Sequence, residues 1–594
     1  MKTFRRMLWI QAVLTLMAVC ATQLMAQDSR WAPPNPGIFK DVKAPLSPST
    51  RFWASEHGKD FLLHSANPGA LGLLHWFHPD AVSEYPQPPR GTGPAGSRPS
   101  SPPSFVVTGC NTTTGTVMNL ESPVNALAQY GPQVDFILSE LGSGKDLVAE
   151  YGFDTRYEFG TFDSTSALYV HRDGSQQCYG GTDFEMGNPP IADPNNASDR
   201  LTGAGNGRLL ADPSSSHKQF IIADTRYDNL TSGVGLRRIP VSNLESTSTC
   251  PMGTLSLAQE ATCAGTNGII VFASEDNYSD AVAIAQDQRS SGTGAGDIYV
   301  VESSIRELRT VILISACKAT FTSISDCSSP VTLSGSTDGG VPSVAVVGGG
   351  SNAGSIVVSF GVDPDVLKFV SCTPHGAPNQ PTCGGSHTVT TDTSLYSSLS
   401  DNPGLEFGIW PQIVARTDAS GQTIFIVWSD CKDDSAFYIY GCAQSQVVTA
   451  TDTSLSSPSF SLHHLTSSQG HRFLPSISYD PGQGIVNVAY YYTVSDIYKN
   501  RSRVTVNQIL PGSTSFGSTI ELNSSYDSME GDGTTYFFDL NFGDFIGVAS
   551  HGGSGSGSSR VYVGFTSNAR QGMYGTGGAI LNTQADNAIL RATY

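Results

Sequence analysis

Acidic residues crowd one short stretch bounded by cysteines, WSDCKDDSAFYIYGC, which runs from Trp428 to Cys442. The carboxylates of Asp430, Asp433 and Asp434 are hard oxygen ligands of the kind that Ca²⁺ takes from protein loops. They could also accept hydrogen bonds from the hydroxyl groups of a bound ligand. Their spacing matches no known calcium loop, so structural calcium, ligand contact and a solvated acidic turn are all retained as interpretations.

A second set of reactive side chains occurs twice, in the segments FDTRYE and ADTRYD. The first copy contains Asp154, Arg156 and Tyr157, and the second contains Asp224, Arg226 and Tyr227. Arginine forks bind carboxylates, and aspartates accept hydrogen bonds from hydroxyls, as carbohydrate binding requires. Alternatively, each Asp–Arg pair ties one structural repeat to the next.

The elements that position these side chains form an internal repeat, which starts near residue 130. Each copy has a polar turn, a short apolar strand often opened by proline, a Gly- or Asp-rich turn and a second apolar strand. The clearest copies are GPQVDFILSELGSGKDLVAEYGFD from Gly131, VPSVAVVGGGSNAGSIVVSFGVD from Val341, WPQIVARTDASGQTIFIVWSD from Trp410 and LPSISYDPGQGIVNVAYYYTVSD from Leu474. Looser copies start at Gly207, Asp280 and Gly543.

The starts of successive copies are about 60 to 76 residues apart. Two strands are explicit in each copy, and the rest of each repeat can hold two more. A four-stranded antiparallel sheet repeated around an axis is a β-propeller blade. The sequence therefore predicts an all-β protein, a β-propeller with seven four-stranded antiparallel blades, six being the alternative. A chain of β-sandwich modules is less consistent with the period, because such modules run nearer 100 residues.

The domain boundaries follow from composition. Residues 1–26 have a basic start, an apolar run and a small residue at Ala26, which predicts a secretory signal peptide. Residues 27–104 form an irregular N-terminal extension that ends in a Pro/Gly/Ser-rich linker, and residues 105–594 form the propeller. Either the strand-like FVVTGC (105–110) or the tail after Arg570 could complete the last blade.

Export also explains the cysteines. Ten of the 11 remain after removal of the signal, an even number that predicts disulfides in an exported chain. Four local pairs are predicted, Cys250–Cys263, Cys317–Cys327, Cys372–Cys383 and Cys431–Cys442, and elimination leaves Cys110 with Cys178. The first three are expected across outer hairpins, and the fourth in a loop where ligands bind.

Charge excludes some partners. The formal net charge falls from −19 to −22 once the three basic residues of the signal are removed. Nucleic acids and anionic membranes bind through lysine and arginine, so neither is an expected partner. After the signal no segment approaches the length of a membrane span. We therefore expect a secreted or periplasmic monomer without a cofactor, apart from the calcium considered above.

The strand order, the proline openings and endings such as IVWSD resemble the sialidase-like propellers built from BNR or Asp-box repeats. Ser336, Asp338 and Gly340 match part of an Asp box, although Ser343 stands where that motif has tryptophan. Arg238-Ile239-Pro240 matches the family's Arg-Ile-Pro motif, but it lies on an expected outer strand. The resemblance implies either a non-catalytic module that binds glycans or proteins on its loop face, or an exo-acting glycosidase of the sialidase type. The glycosidase would need three convergent arginines and a tyrosine nucleophile backed by glutamate.

Overall fold

The computed structural model describes residues 126–593 with gaps, the longer of which are 139–145, 172–183, 432–444, 494–500 and 529–545. The predicted signal peptide, the N-terminal extension, its linker and FVVTGC lie outside the described residues, so the domain boundaries stay predictions.

Seven β-sheets follow one another along the described chain, and we call them blades 1 to 7. Blade 1 contains β1 (Ala126–Ile137), β2 (Leu147–Glu158), β3 (Thr161–His171) and β4 (Phe184–Gly187), and a small hairpin follows, β5 (Ile191–Ala192) with β6 (Arg200–Leu201). Blade 2 contains β7 (Gly203–Asp212), β8 (Gln219–Tyr227), β9 (Ser232–Pro240) and β11 (Ile269–Ser274). Between β9 and β11 lie α1 (Val241–Glu245), β10 (Gly253–Thr254) and α2 (Leu257–Ala264), and β10 adds a parallel strand to β4.

The middle blades repeat this pattern. Blade 3 contains β12 (Asn277–Gln286), β13 (Ile298–Arg306), β14 (Arg309–Cys317) and β15 (Val331–Thr332). Blade 4 contains β16 (Gly339–Val346), β17 (Ile356–Val362), β18 (Val366–Thr373), β19 (Thr382–Cys383) and β20 (His387–Thr390), and the hairpin of β21 (Tyr396–Leu399) and β22 (Asn402–Gly408) follows. Blade 5 contains β23 (Gln412–Asp418), β24 (Gly421–Cys431), β25 (Ser445–Asp452) and β26 (Ser461–Leu465).

The last two blades complete the series. Blade 6 contains β27 (Arg472–Asp480), β28 (Ile485–Tyr492), β29 (Arg501–Ile509), β30 (Thr519–Glu521) and β31 (Asp527–Ser528). Blade 7 contains β32 (Gly547–His551), β33 (Arg560–Ser567) and β36 (Asp586–Thr593), with a hairpin of β34 (Gly572–Tyr574) and β35 (Ala579–Leu581) between the last two.

The first strand of each blade contacts the first strand of the next, and β32 contacts β1, so the seven sheets form a closed ring. Six blades have four strands or more, and blade 7 has three among the described residues. The predicted all-β propeller is thus confirmed. The tail after Arg570 supplies β36 of blade 7, which agrees with one of the two predicted ways of completing the last blade. We call the interface between blades 7 and 1 the seam.

Apolar side chains fill the interface between each pair of neighbouring blades. In β24, Ile424, Ile426 and Trp428 pack toward blade 4, while Phe425 and Val427 pack toward blade 6. The second strand of a blade is therefore buried on both faces, which explains why these strands are continuous apolar runs rather than alternating ones. Burial of each large side chain contributes roughly 1.5–3 kcal/mol, and such clusters occur at all seven interfaces.

β-Bulges interrupt the first strands of five blades, and three of the proline openings, Pro132, Pro342 and Pro475, lie at them. Register shifts interrupt the first strands at Tyr130/Gln133, Gly205/Arg208, Ser279/Ala281, Gly339/Pro342 and Phe473/Ser476. Proline has no N–H group to pair and is tolerated where the ladder is already broken. Serines of the preceding blade accept the freed backbone donors. Leu474 N donates to Ser429 Oγ at 2.8 Å, and Ser279 N donates to Ser232 Oγ at 3.0 Å.

The ring has two faces. The turns that join first and second strands form the hairpin face, whereas the loops that leave second strands and enter first strands form the loop face. Every interface has an inter-blade hydrogen bond near the hairpin face. These bonds are Ala211 N to Asp135 Oδ2 (2.7 Å), Gln219 Nε2 to Ala319 O (2.9 Å), Arg289 Nη1 to Ala353 O (3.0 Å), Ser371 Oγ to Leu455 O (3.3 Å), Tyr479 OH to Thr417 O (2.6 Å), Ser478 Oγ with Ser550 Oγ (2.7 Å) and His551 Nε2 with Asp135 Oδ1 (2.8 Å).

Three predicted disulfides are confirmed: Cys250–Cys263, Cys317–Cys327 and Cys372–Cys383. Each bridges the chain between the third and fourth strands of its blade, as expected for outer hairpins. Cys431 is also disulfide-bonded, while Cys442, Cys110 and Cys178 lie outside the described residues. No described helix has the length and apolar character needed to cross a membrane.

Candidate functional site

Both copies of the Asp-Thr-Arg-Tyr motif lie where the repeat predicts, toward the loop-face end of a second strand. Asp154, Arg156 and Tyr157 are in β2, and Asp224, Arg226 and Tyr227 are in β8. The side chains of the first copy and of Tyr227 are outside the described part of the structure, so their ligand role stays a prediction.

Asp224 and Arg226 are buried and bonded to each other. Arg226 Nε donates to Asp224 Oδ1 at 2.7 Å, and Nη2 donates to Oδ2 at 3.0 Å. Tyr151 of blade 1 donates its hydroxyl to Asp224 Oδ2 at 2.7 Å. Nearby, burial and then the charge of Arg226 lower the pKa of Arg237 to about 10. This geometry agrees with the motif as a tie between blades 1 and 2.

The tie depends on a close backbone approach. A Cβ atom on Gly207 would lie 1.6 Å from Cε1 of Tyr151, so the tyrosine ring occupies the space that any other residue would fill. Gly235 is similarly close to Asp224, with 2.5 Å from a Cβ to Oδ1. Glycine is therefore required on both sides of the buried Asp–Arg pair.

The Arg-Ile-Pro match lies on β9, the third strand of blade 2, as expected. Arg238 lies over the ring of Phe321, 5.3 Å from its centroid, and Ile239 is buried between blades 1 and 2. Arg238 therefore packs on the outer part of the propeller, away from its centre. Ser336 of the Asp-box match forms a turn before β16, where its carbonyl accepts from Gly339 N at 2.9 Å, and Asp338 lies outside the described residues.

The base of the acidic, cysteine-bounded loop is held between blades 5 and 6. Asp430 is buried at the end of β24, where Oδ1 accepts from Cys431 N at 2.9 Å. On the other side of the loop, Ser445 N donates to His471 Nδ1 at 3.1 Å. His471 N in turn donates to Thr493 Oγ1 at 2.8 Å, so His471 is part of the scaffold at this loop base.

Asp433 and Asp434 lie outside the described residues, so the calcium prediction for this loop stays untested. Within the described part of the chain, no group of three or more His, Cys, Asp or Glu side chains could hold a metal ion.

Beside this loop base, a row of three residues crosses blade 6. Arg472 pairs in register with Tyr492, which pairs with Arg503, so all three project from the same side of the sheet. The Arg472 guanidinium lies over the Tyr492 ring, 5.0 Å from its centroid. We call Arg472, Tyr492 and Arg503 the blade 6 arginine row. Sequence analysis missed it, although HRFLPSI does place an arginine immediately before a predicted first strand.

Other groups that a sialidase-type reaction would use are occupied elsewhere. Tyr490 is fully buried, donates its hydroxyl to Asn507 Oδ1, and has a pKa raised by burial. Arg289 and Arg416 lie on the hairpin face, paired with Asp287 at 2.6 Å and Asp418 at 2.9 Å. Neither described arginine is therefore near the loop-face ends of the second strands.

Glu150 is a buried carboxyl near the seam. It lies on β2, has no exposed surface, and neither carboxyl oxygen has a hydrogen-bond partner. Burial raises the pKa of Glu150 well above its usual range. Burial therefore favours the neutral form of this carboxyl, which lies inside the fold away from the loop face.

Comparisons with known proteins identify no family. The sequence matches no protein-family model and no curated protein. Among solved structures, an intramolecular trans-sialidase from Ruminococcus gnavus is 9% identical with a TM-score of 0.37, and the alignment covers 66% of this chain and 96% of that one. The leech intramolecular trans-sialidase is 8% identical with a TM-score of 0.35, covering 66% and 70%.

An exo-beta-1,3-galactanase from Phanerochaete chrysosporium is 11% identical with a TM-score of 0.29, covering 83% of this chain and 100% of that one. Solved structures with a similar arrangement thus include sialidases and another glycan-processing enzyme. Identities and TM-scores this low assign no function to this chain.

Proposed function

We propose that this protein is a non-catalytic, exported β-propeller that binds glycans on its loop face between blades 5 and 6. The carrying observation is the blade 6 arginine row beside the fixed base of the Cys431 loop. In this row the guanidinium of Arg472 lies 5.0 Å from the centroid of the Tyr492 ring. Both residues belong to strands whose two faces are packed against neighbouring blades.

The chemistry of this place suits a sugar. Aromatic faces cover the apolar C–H face of a ring, and guanidinium N–H groups donate to its oxygens. The two blades are connected directly below, where Leu474 N donates to Ser429 Oγ at 2.8 Å. A preformed site loses little conformational entropy on binding, which favours recognition by a few contacts.

Several observations favour binding over hydrolysis. Tyr490 is bonded to Asn507, Arg226 is bonded to Asp224, and Arg416 faces the opposite side of the ring. A sialidase-type mechanism would need such groups converging on one substrate, with a carboxylate beside the tyrosine. Arg226 and Arg416 instead pair with aspartates within the scaffold.

A glycan array with the purified propeller tests the proposal. We expect binding to at least one glycan class, lost in Tyr492→Ala and retained in Tyr479→Phe, a tyrosine on the hairpin face. The same preparation should release no fluorophore from a fluorogenic sialoside. Absence of glycan binding would refute the proposed function, and robust turnover of the sialoside would favour the glycosidase instead.

A further inference from the structure

We infer that the seam between blades 7 and 1 is a proton-responsive closure, which acid strengthens and which weakens as Glu150 ionises and His551 loses its proton. The inference goes beyond the proposed glycan binding and does not depend on it, because it concerns a different interface from the one between blades 5 and 6.

Glu150 projects into the seam. Val148, two residues earlier on β2, packs against blade 7, and so does Val134, which pairs in register with Glu150 on β1. Residues two apart on a strand, and residues in register on neighbouring strands, share one face of the sheet. Glu150 therefore faces blade 7, on the side where Ala549 and Tyr562 belong to the apolar cluster of the seam.

The Glu150 carboxyl is completely buried, and neither of its oxygens has a hydrogen-bond partner. The side chain of Tyr169, its neighbour in register on β3, lies outside the described residues. A buried carboxylate is far more costly than a buried neutral carboxyl, and burial accordingly raises the pKa of Glu150 well above its usual range. Separation of the two blades would expose the carboxyl to water and let it ionise near an ordinary pKa of about 4.3.

Other charged groups face the seam nearer the hairpin face. Asp146, at the start of β2, accepts a hydrogen bond from Tyr562 OH at 2.8 Å. Its Oδ2 also lies 3.6 Å from Arg560 Nε and 3.9 Å from Arg591 Nη2, both on blade 7. Arginine keeps its charge throughout the ordinary pH range, so the two guanidinium groups do not themselves make the seam depend on pH.

His551 adds a second titrating group to the same closure. Its Nε2 on blade 7 lies 2.8 Å from Oδ1 of Asp135 on blade 1. Burial alone lowers the pKa of His551, but Asp135, helped by Asp480 and Asp146, raises it more, so the net shift is upward. The protonated ring therefore favours the joined blades, and loss of that proton weakens the contact between them.

Both groups change the seam in the same direction. The proton on Glu150 costs nothing below the unfolded pKa of about 4.3, and the joined state becomes less favourable as the pH rises from there toward the folded value. The contribution of His551 is fully present below about pH 6.5 and disappears as the pH rises through its raised folded pKa. Separation of the blades should therefore become more frequent with rising pH, the opposite of ordinary acid denaturation.

Thiol labelling of the full protein measures this separation. Ala549→Cys places a thiol at the seam, and Ala415→Cys places one at the interface of blades 4 and 5. The two alanines are a matched pair, because both lie on first strands and have 7% and 6% of their surface exposed. Each variant reacts with a maleimide from about pH 5 to about pH 8, and mass spectrometry identifies the labelled position. The thiolate fraction and global unfolding affect both rates alike, so the seam-to-reference ratio reports on the seam.

We expect that ratio to rise by roughly tenfold or more over this range, because each unit of pKa displacement corresponds to a tenfold change in the equilibrium. Glu150→Gln should reduce the rise, and Glu150→Gln combined with His551→Gln should abolish it. Glu302→Gln is the control, since Glu302 is also buried on a second strand but accepts from Ser279 Oγ at 2.7 Å. It should leave the pH dependence of the ratio unchanged.

A ratio that stays constant or falls between about pH 5 and about pH 8 would overturn the inference. An undiminished rise in the double glutamine variant would overturn it as well, because the pH dependence would then come from other groups. The profile of the two cysteine variants with Glu150 and His551 intact tests the inference even if a glutamine variant does not fold.

Discussion

Asp135 joins three blades at the seam, and its replacement by asparagine should open that junction. Its Oδ1 accepts from His551 Nε2 of blade 7 at 2.8 Å, and its Oδ2 accepts from Ala211 N of blade 2 at 2.7 Å. The same carboxylate accepts from Phe136 N of its own strand at 2.8 Å. Asparagine has the same shape, but only one of its two terminal atoms accepts hydrogen bonds.

Asp135→Asn therefore loses the ion pair with His551 or the bond to Ala211, and the remaining bonds become neutral. A hydrogen bond to a charged group contributes about 1.5–3 kcal/mol, and breaking a buried pair costs about 3–5 kcal/mol. Because His551 keeps about a quarter of its side chain exposed, we expect the lower part of that range, about 3 kcal/mol. This is a large fraction of a typical net stability of about 5–15 kcal/mol.

The loss should depend on pH. Burial alone lowers the pKa of His551, but the Asp135 carboxylate raises it more, helped by Asp480 and Asp146, so the net shift is upward. A group whose folded pKa is raised stabilises the fold fully below its unfolded pKa of about 6.5. That contribution disappears as the pH rises through the folded value. Asp135→Asn should therefore cost more near pH 6 than near pH 9.

Urea unfolding at both pH values measures this, with the fluorescence of buried Trp428 as the reporter. His551→Gln and the double variant complete a double-mutant cycle. The coupling free energy should be about 1.5–3 kcal/mol near pH 6 and should shrink at high pH. A coupling that is absent, or independent of pH, would refute the assignment of a charged His551–Asp135 pair.

Three further predictions concern single positions. Gly207→Ala should destabilise the protein by about 1–3 kcal/mol or more in urea unfolding, because its Cβ overlaps the ring of Tyr151. Glu150→Gln should stabilise the protein increasingly as the pH rises above about 4.5, because the folded state keeps the glutamate protonated while the unfolded state ionises it. Replacing both Cys317 and Cys327 by serine should lower the free energy of unfolding by about 3 kcal/mol, since the bond closes a short loop in the unfolded chain.

Each of these has a control and a contrary outcome. Gly348→Ala meets no atom within 4 Å of the new Cβ, so a loss equal to that of Gly207→Ala would contradict the steric argument. Glu302→Gln removes a carboxylate that accepts from Ser279 Oγ at 2.7 Å and should not stabilise. A pH-independent effect of Glu150→Gln would mean that this glutamate is ionised in the fold. Unchanged stability without the disulfide at Cys317 would indicate compensating order in the unfolded state.

The sequence was informative where interactions are local. Strand pairs such as those around Trp410 and Leu474 are joined by short turns, so apolar runs and proline openings predicted them. The outer disulfides were predicted for the same reason, because each closes 10 to 13 residues. In these hairpins and disulfide loops, the residue pattern along a short segment is enough to specify its structure.

Contacts between distant residues could not be predicted. His551 meets Asp135 across 416 residues, and Tyr151 meets Asp224 across 73, distances at which no pattern of residue types specifies a partner. For Arg226, sequence gave two interpretations, and the observed bonds to Asp224 agree with the scaffold one. The contact of Arg472 with Tyr492 was missed because it depends on the register between β27 and β28, which the types of the two residues do not specify.

The seam differs from the other six interfaces in its covalent connections, because blades 7 and 1 are far apart in sequence, whereas every other pair is joined by a loop. Separating those two blades therefore stretches no connecting loop between them. The ring should open locally at this junction more often than the whole protein unfolds, giving an open-ring state in which the other six interfaces stay intact. Amide hydrogens of β1 and β32 should then exchange with solvent sooner than those of β23 and β27. Small molecules that bind between the separated blades would stabilise the open ring.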